Sequence, residues 1–454
     1  PCLEAGYYDS SITPLTGVPW PGGVVPYQFD AALTAVQQQA YLDGLREYEL
    51  AADITFRPKE AGDSEWILFK YDPFGPNLVS GSMPQVVEIS QLTRGQICHE
   101  MGHSFGLMHE HQRPDRNTYI NVLYGNIDAG NHPLFDIDPG GTTVGPFEFD
   151  SVMHYGRNTL SNNHPADTIQ PQAGFEKWQT RLGNWALSPG DRATMALLYG
   201  PPAVPLSPVV TTTADGGPGS LRAAIYYATD NPGSTITFNI PVSDPGFANG
   251  VFTISPTDIL PPFGRSGVSL DATTQPGYSG KPLVFLDGSK ILPEAGFVAG
   301  LLFYESGCTV KGVAVQNYPW VGMALLTSAA TGNTVAACWS GLDHTGTAAA
   351  PNATRGVFLD DGASDNSIGL PEGAPNVFSG NPQYGLSLTG PTTTDNTVVN
   401  TCLGTDWTGT SAVPNLLGGA LITSGSSHNT LGPGCVLSGN TQYGAWISGS
   451  DTTG

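Results

Sequence analysis

The chain has 454 residues, enough for two or three domains at about 150 residues each. It contains 58 glycines and 38 prolines, while charged residues make up only 12%. This composition favours a turn-rich, strand-rich globular protein and excludes a coiled coil or a wholly disordered chain. The 17 basic and 39 acidic residues give a net charge of −22, which disfavours nucleic acid and anionic lipid as partners. A membrane span needs about 18 apolar residues, and no apolar run in the sequence approaches this length, so we expect no membrane span.

The first 200 residues predict a mixed sheet backed by helices. Alternating apolar residues predict strands, and apolar residues at helical spacing predict helices. The predicted strands cover 24–29, 54–56, 66–71 and 86–90; the predicted helices cover 31–52, a segment that begins near Thr93, and a segment after Ser188-Pro189-Gly190. The proline-rich segment 201–210 then predicts a linker between domains.

Residues 211–454 carry internal repeats of short strands and polar turns. Beyond Val210 the helical pattern is found only at 220–228. The triplets that begin at Asn333, Asn366, Asn396 and Asn429 are spaced by 33, 30 and 33 residues. Repeats of this length must stack to bury a core, and each has room for about three strands, which favours a parallel β-helix over a propeller with four strands per blade.

Two short segments of this region resemble bacterial right-handed parallel β-helix domains of surface and secreted proteins. They are SLRAAI at 220–225 and DATTQPGY at 271–278. We expect the solenoid to continue beyond Gly454, because the last repeat stops one turn short of its next Asn triplet. The chain also starts at Pro1 with neither Met nor a signal peptide, so we expect a processed or trimmed form of a longer protein.

The segment HEMGHSFGLMHEHQRPDR contains the pattern HExxHxxGxxH. His99 and His103 are four residues apart, so on a helix they share one face and can bind one metal ion. Glu100 can reach a metal-bound water as general base, and Gly106 permits the left-handed turn that brings His109 to the metal. Three nitrogen ligands leave one position open for water, which is typical of a catalytic zinc site.

The segment SVMHY at 151–155 resembles the Met-turn of metzincins, with Met153 beneath the metal. Together with WPGGVVPY at 20–27 and the extended zinc motif, it makes residues 19–200 resemble an astacin-family metallopeptidase. The resemblance implies an α+β metzincin-type fold and one catalytic Zn²⁺. The residues it assigns are the zinc ligands His99, His103 and His109, the base and proton shuttle Glu100, the additional ligand and oxyanion donor Tyr155, and the structural residue Glu110 near the mature amino terminus.

The other polar residues around the zinc motif are expected to be structural. Arg113, Asp115 and Arg116 are predicted to form ion pairs behind the site. His111 and His154 lack ligand spacing and are predicted to lie around the ligands or in solvent. We expect the substrate to add as an extended strand along a sheet edge, for which we take the strand at 86–90.

Cysteine usage departs from the astacin pattern. The first 200 residues hold only Cys2 and Cys98, so the two disulfides usual in the family are absent in their usual form. Cys2 precedes the expected mature start: it is a possible inhibitory thiolate ligand of zinc, it can pair with Cys98, or it is free. In the solenoid, Cys402 and Cys435 each lie six residues after an Asn triplet, which predicts adjacent turns and a bridge between them.

The sequence therefore predicts an amino-terminal extension or propeptide remnant (1–18), a zinc metallopeptidase (19–200), a linker (201–210) and a parallel β-helix (211–454). We expect a zinc endopeptidase, secreted or at the cell surface of a bacterium, that hydrolyses proteins or peptides. In this hypothesis the β-helix attaches to a surface or a polysaccharide. The alternative is a repeat-built adhesin or glycan-binding protein in which the peptidase domain is secondary.

Overall fold

The computed structural model describes residues 20–75, 77–79, 84–138, 140, 143–183, 185–291 and 298–453. The chain divides into two compact units, Pro1–Pro205 and Leu206–Gly454. In the described part of the chain, no helix is both long and apolar enough to cross a membrane.

The first unit contains a five-stranded sheet. Its strands, in chain order, are β1 (Val24–Phe29), β2 (Thr55–Pro58), β3 (Ile67–Tyr71), β4 (Leu78–Val79) and β5 (Gln85–Ile89). Their order across the sheet is β2-β1-β3-β5-β4. The first four in this order run parallel, and β4 pairs antiparallel with β5.

The prediction that the strand at 86–90 forms a sheet edge was wrong. Strand β5 lies between β3 and β4, with Val87 paired to both Phe69 and Val79. The two-residue strand β4 therefore occupies the edge. A run of two residues has no readable alternation, so the sequence pattern did not predict it.

Three helices complete the first unit: α1 (Ala35–Ala51), α2 (Arg94–Ser104) and α3 (Pro189–Tyr199). Each begins after a hydroxyl residue whose side chain accepts a hydrogen bond from the third helical N–H, as N-caps do. Helices α1 and α2 approach closely at Gly44, where a Cβ atom would lie 2.4 Å from Ile97 Cγ2. Ile97, Met101 and Phe105 all lie in the core of the unit.

The segment between α2 and α3 is rich in 3-10 turns and has a small core of its own. Its strands β6 (Ile120–Val122) and β7 (Ile169–Pro171) pair antiparallel. The core residues include Phe135, Phe149 and Tyr155. This segment also contacts the zinc motif, since the ring of Tyr155 packs against that of His109.

The second unit is a stack of parallel strands in three sheets, with helix α4 (Leu221–Asp230) near its start. The first sheet contains β8 (Val209–Val210), β9 (Thr235–Phe238), β12 (Ser269–Asp271), β15 (Thr309–Lys311), β18 (Thr334–Ala336), β21 (Ser367–Ile368), β24 (Thr397–Val398) and β27 (Thr430–Leu431). The second contains β10 (Phe247–Ala248), β11 (Val251–Ile254), β13 (Val284–Asp287), β16 (Val313–Gln316), β19 (Trp339–Ser340), β22 (Asn376–Phe378), β25 (Thr401–Leu403) and β28 (Val436–Leu437). The third contains β14 (Ala299–Phe303), β17 (Val321–Leu326), β20 (Arg355–Asp360), β23 (Tyr384–Thr389), β26 (Gly418–Thr423) and β29 (Tyr443–Ile447).

From β12 onward, each turn contributes one strand to each sheet. Apart from the antiparallel pair β10–β11, the strands that neighbour one another within these sheets run parallel. Three parallel strands per repeat confirm the β-helix prediction and exclude the propeller. Apolar residues of all three sheets, together with one face of α4, form a continuous core.

The Asn triplets form a buried ladder along the solenoid. The Oδ1 atom of Asn366 accepts a hydrogen bond from the Asn333 backbone N–H at 2.9 Å, and Asn396 and Asn429 continue the pattern at 3.0 Å. Each Asn thus satisfies a backbone donor of the preceding turn, which explains the recurrence of the triplet.

The predicted bridge between Cys402 and Cys435 is absent, because both thiols are free. Register pairs Cys402 with Val436, so Cys435 is one position out of line and its side chain faces the opposite side of the sheet. Cys402 packs in an outer apolar cluster, whereas Cys435 packs against the central core.

Candidate metal centre

Helix α2 places two of the three predicted ligands on one face. His99 and His103 both lie within α2, which ends at Ser104. Gly106 has a φ of 84°, a left-handed conformation that costs glycine little. The chain then reverses and brings His109 back to the other two histidines, as the sequence predicted.

The structure brings the three imidazoles together in a buried cluster. Their potential ligand atoms all lie within 4.8 Å of one another. His99, His103 and His109 are only 2%, 7% and 8% exposed. Their ring centroids are 4.7–5.1 Å apart.

Hydrogen bonds fix the tautomer of each ring. His99 Nδ1 donates to the Val152 carbonyl at 2.8 Å, and His103 Nδ1 donates to the Leu107 carbonyl at 2.9 Å. His109 Nδ1 lies 2.9 Å from Gln112 Oε1. Since each acceptor is an oxygen, Nδ1 carries the proton and Nε2 is left with its lone pair.

The unprotonated nitrogens fit a bound cation. The Nε2 atoms of His99 and His109 are only 3.2 Å apart, so their lone pairs repel unless a positive charge lies between them. His103 Nε2 is buried, with no hydrogen-bond partner among the described residues. Three neutral imidazole nitrogens are a typical catalytic zinc donor set, so these residues fit a single zinc ion.

Burial shifts the pKa values of the histidines and of Glu100. It favours the neutral form of each group. Desolvation is the largest cause of the lowered histidine pKa values, about 3 for His99 and about 4 for His103, and the pKa of His109 is also well below its ordinary value. Desolvation raises the pKa of Glu100 to about 8. Both Glu100 carboxyl oxygens are buried without a hydrogen-bond partner in the described part of the protein.

Met153 lies under the zinc motif, where the Met-turn resemblance places it. A Cβ atom at Gly102 would be 2.5 Å from Met153 Sδ, so only glycine leaves room for this contact. The Met153 carbonyl accepts a hydrogen bond from Glu110 N at 3.0 Å. Asp191 of α3 holds the same turn by accepting from Ser151 Oγ at 2.7 Å, a role that no sequence motif indicated.

Tyr155 packs beside the histidine cluster. Its ring centroid is 4.9 Å from that of His109 and 3.9 Å from that of His111, on which it stacks. The ring is only 1% exposed. His111 and His154 lie outside the candidate ligand cluster: His111 Nε2 contacts the Leu134 carbonyl at 3.1 Å, and His154 Nδ1 contacts the Tyr155 carbonyl at 2.6 Å.

Among the described residues, Arg113 forms the predicted ion pairs and Arg116 forms none. Arg113 contacts Asp115 and Glu110, both at 2.9 Å. Arg116 instead donates to backbone carbonyls, including that of Phe135 at 2.7 Å. Arg116 is buried among these carbonyl groups, and their oxygens accept its hydrogen bonds in place of a carboxylate.

Cys2 lies outside the described residues. Glu110 is held by hydrogen bonds to neighbouring segments of the domain. Glu110 Oε1 accepts hydrogen bonds from Arg113 at 2.9 Å and from the Glu148 backbone N at 2.8 Å. Burial raises the pKa of Glu110 to about 7.

A mostly parallel sheet with an antiparallel edge strand, a helix bearing two histidines and a Met-turn define a metzincin-like domain. Residues 15–200 match the profile of the peptidase family described as Astacin. Among relatives, Tolloid-like protein 1 of Mus musculus is 32% identical over 240 residues, covering 50% of this chain and 24% of that protein. Bone morphogenetic protein 1 of Xenopus laevis is 33% identical over 196 residues, covering 40% and 27%. Residues 15–200 are therefore an astacin domain.

The chain spans about a quarter of the length of these two relatives. Two solved structures are also similar to it. High choriolytic enzyme 1, a hatching enzyme zinc-protease from Oryzias latipes, has 23% identity and a TM-score of 0.36 and covers 39% of this chain and 90% of its own. Myroilysin has 19% identity and a TM-score of 0.28, covering 40% and 94%.

Proposed function

We propose that the astacin domain is a zinc endopeptidase that hydrolyses proteins or peptides. The observation that supports this most directly is the tautomer pattern. All three histidines are fixed with Nδ1 protonated and Nε2 directed into one buried cluster. In this proposal His99, His103 and His109 hold one zinc ion.

Glu100 is proposed as the general base. It follows the first ligand, His99, directly in sequence. Its carboxyl oxygens have no hydrogen-bond partner among the described residues, so no such contact competes with a bound water. Zinc, when bound, would polarise the scissile carbonyl and lower the pKa of the attacking water. Glu100 would accept the proton of that water and deliver it to the leaving amine.

Tyr155 is proposed to stabilise the oxyanion. Its ring centroid lies 4.9 Å from that of His109, so in this proposal the phenol would act on a carbonyl bound at the metal. A phenol there donates a hydrogen bond most strongly when negative charge develops in the transition state. The proposed place for an extended substrate is the side of strand β4 that pairs with no described strand.

The proposal also includes the domain layout and the cellular location. The layout comprises an extension at 1–18, the peptidase at 19–200, a linker at 201–210 and the β-helix at 211–454. Cys2 is proposed as an inhibitory ligand of zinc in a latent form. Export to the outside of a bacterium, or to its surface, is proposed from the sequence resemblance of the β-helix region.

The β-helix is proposed to attach the enzyme to a surface or a polysaccharide. A protein that acts only as an adhesin is not favoured, because binding alone gives no reason to keep a desolvated glutamate beside three preset histidines. The carboxylate and the imidazoles incur a burial cost that catalysis explains.

The test is hydrolysis of dye-labelled, unfolded casein by the full chain. We expect activity that 1,10-phenanthroline abolishes and one equivalent of zinc restores. Glu65→Gln, at an exposed glutamate, should behave like the parent. Activity that persists in the chelated protein, or absence of activity in the zinc-loaded protein, would contradict the proposal.

A further inference from the structure

His109 is held by a different kind of contact from the other two candidate ligands, His99 and His103. His99 and His103 donate to backbone carbonyls, whose positions the fold determines. His109 Nδ1 instead contacts a side chain, the Gln112 amide, with Oε1 at 2.9 Å. A side-chain acceptor can be replaced without rebuilding the backbone.

The orientation of the Gln112 amide is fixed by a second contact. Its Nε2 donates to the Asp136 carbonyl at 3.2 Å, and a carbonyl cannot accept from the amide oxygen. The amide oxygen must therefore face His109. The backbone reinforces this arrangement, because the Gln112 carbonyl accepts from Asp138 N at 2.8 Å.

The segment 134–136 is clamped to the ligand-bearing segment at three successive carbonyls. The Leu134 carbonyl contacts His111 Nε2 at 3.1 Å, and the Phe135 carbonyl accepts from Arg116 at 2.7 Å. The Asp136 carbonyl accepts from Gln112. Neighbouring contacts therefore hold the segment in place, so losing the Gln112 donor alone leaves two of the three clamps.

We propose that Gln112 is a positioning residue that sets the tautomer of His109 and so raises the affinity of the site for zinc. The inference rests on the proposed zinc function. The acceptor at Nδ1 holds the proton there, which leaves the lone pair on Nε2 as the metal-binding electron pair, and it also raises the basicity of the ring. Gln112 itself lies outside the HExxHxxGxxH pattern.

Two variants of the full chain separate this role from a merely structural one. Gln112→Leu removes both the acceptor and the donor, whereas Gln112→Glu keeps an acceptor for His109 and loses the donor to Asp136. We expect zinc affinity, measured by competition with a chelator of known affinity, to fall about 10–100-fold in Gln112→Leu. It should stay within about threefold of the parent, or be tighter, in Gln112→Glu.

Gln172→Leu is the matched control, because Gln172 Nε2 also donates to a backbone carbonyl, that of Asn117, at 3.1 Å. Its zinc affinity should not change. Equal weakening in both Gln112 variants, or unchanged affinity in Gln112→Leu, would overturn the inference. If Gln112→Leu does not fold, weakened affinity in a folded Gln112→Glu overturns it and retained affinity supports it. Absence of zinc binding by the parent would instead contradict the proposed function itself. His103→Ala, which removes a proposed ligand, shows the affinity expected when the site is lost.

Discussion

The carboxylate of Asp191, in the last helix of the astacin domain, accepts a hydrogen bond from Ser151 Oγ at 2.7 Å. Its second oxygen accepts from Val152 N at 2.8 Å, and the Val152 carbonyl in turn orients His99. Helix α3 is thereby connected to the metal centre through one side chain and one peptide unit.

Replacement of Asp191 should therefore destabilise the domain. Asp191→Ala leaves buried donors without partners, at a cost of about 2–4 kcal/mol in the free energy of unfolding. Urea unfolding followed by tryptophan fluorescence measures this cost. Asp128→Ala, at an exposed aspartate, should change the value by less than about 0.5 kcal/mol. Similar small effects in both variants would show that the Asp191 contacts contribute little.

The zinc motif could be predicted almost completely from the sequence, whereas its supports could not. His99, His103 and His109 follow a fixed local spacing on a helix and a glycine turn, so their meeting depends on few residues. Asp191 and Gln112 act through contacts that only the folded chain establishes. Asp191 lies 40 residues from Ser151, and no spacing rule links them.

The same contrast holds in the solenoid. The ladder through Asn366 is visible because its members recur at 33, 30 and 33 residues. A second ladder runs through Asn352, Asn381, Asn415 and Asn440 at spacings of 29, 34 and 25 residues. In the sequence only the recurrence of Asn352 as Asn415, 63 residues later, is apparent. Loops of unequal length between strands hide a period that is regular in space.

Glu100→Gln should separate metal binding from catalysis. The amide keeps the size of the side chain but cannot accept the proton of water, so we expect casein hydrolysis to fall about 10²–10⁴-fold. Zinc content, measured by atomic absorption after dialysis, should remain at one ion per chain. Parent-level hydrolysis by the variant would contradict the role of Glu100 as base.

Tyr155→Phe should lower kcat more than it changes KM. The phenol is proposed to act on charge that develops in the transition state, so its loss costs about 10²-fold in kcat and leaves KM within about twofold. The ring contacts with His109 and His111 do not need the hydroxyl. Steady-state kinetics on a fluorogenic peptide gives both constants. A rise in KM at constant kcat would indicate substrate positioning instead.

Cutting the chain after Pro205 should yield a folded fragment that binds zinc. The sheet, the three helices and the candidate ligands all lie before this point, and the two compact units meet there in sequence. We expect circular dichroism to show a cooperative thermal transition that zinc shifts upward. An insoluble fragment, or one that binds no zinc after refolding, would show that the β-helix is needed for the catalytic fold.

Asn366→Ala should destabilise the solenoid. Asn366 is only 1% exposed, and its amide accepts from Asn333 N and donates to the Ala330 carbonyl, both at 2.9 Å. Alanine leaves both backbone groups buried without these partners, which costs about 2–5 kcal/mol. The solenoid transition in a urea titration measures the loss, and Asn239→Ala, at an exposed asparagine, is the control.

Because each turn is stabilised mainly by its neighbours, the Asn366→Ala variant should also expose the flanking turns to hydrogen exchange. Unchanged exchange in those turns, together with a loss below about 0.5 kcal/mol, would show that apolar stacking alone holds the repeats together.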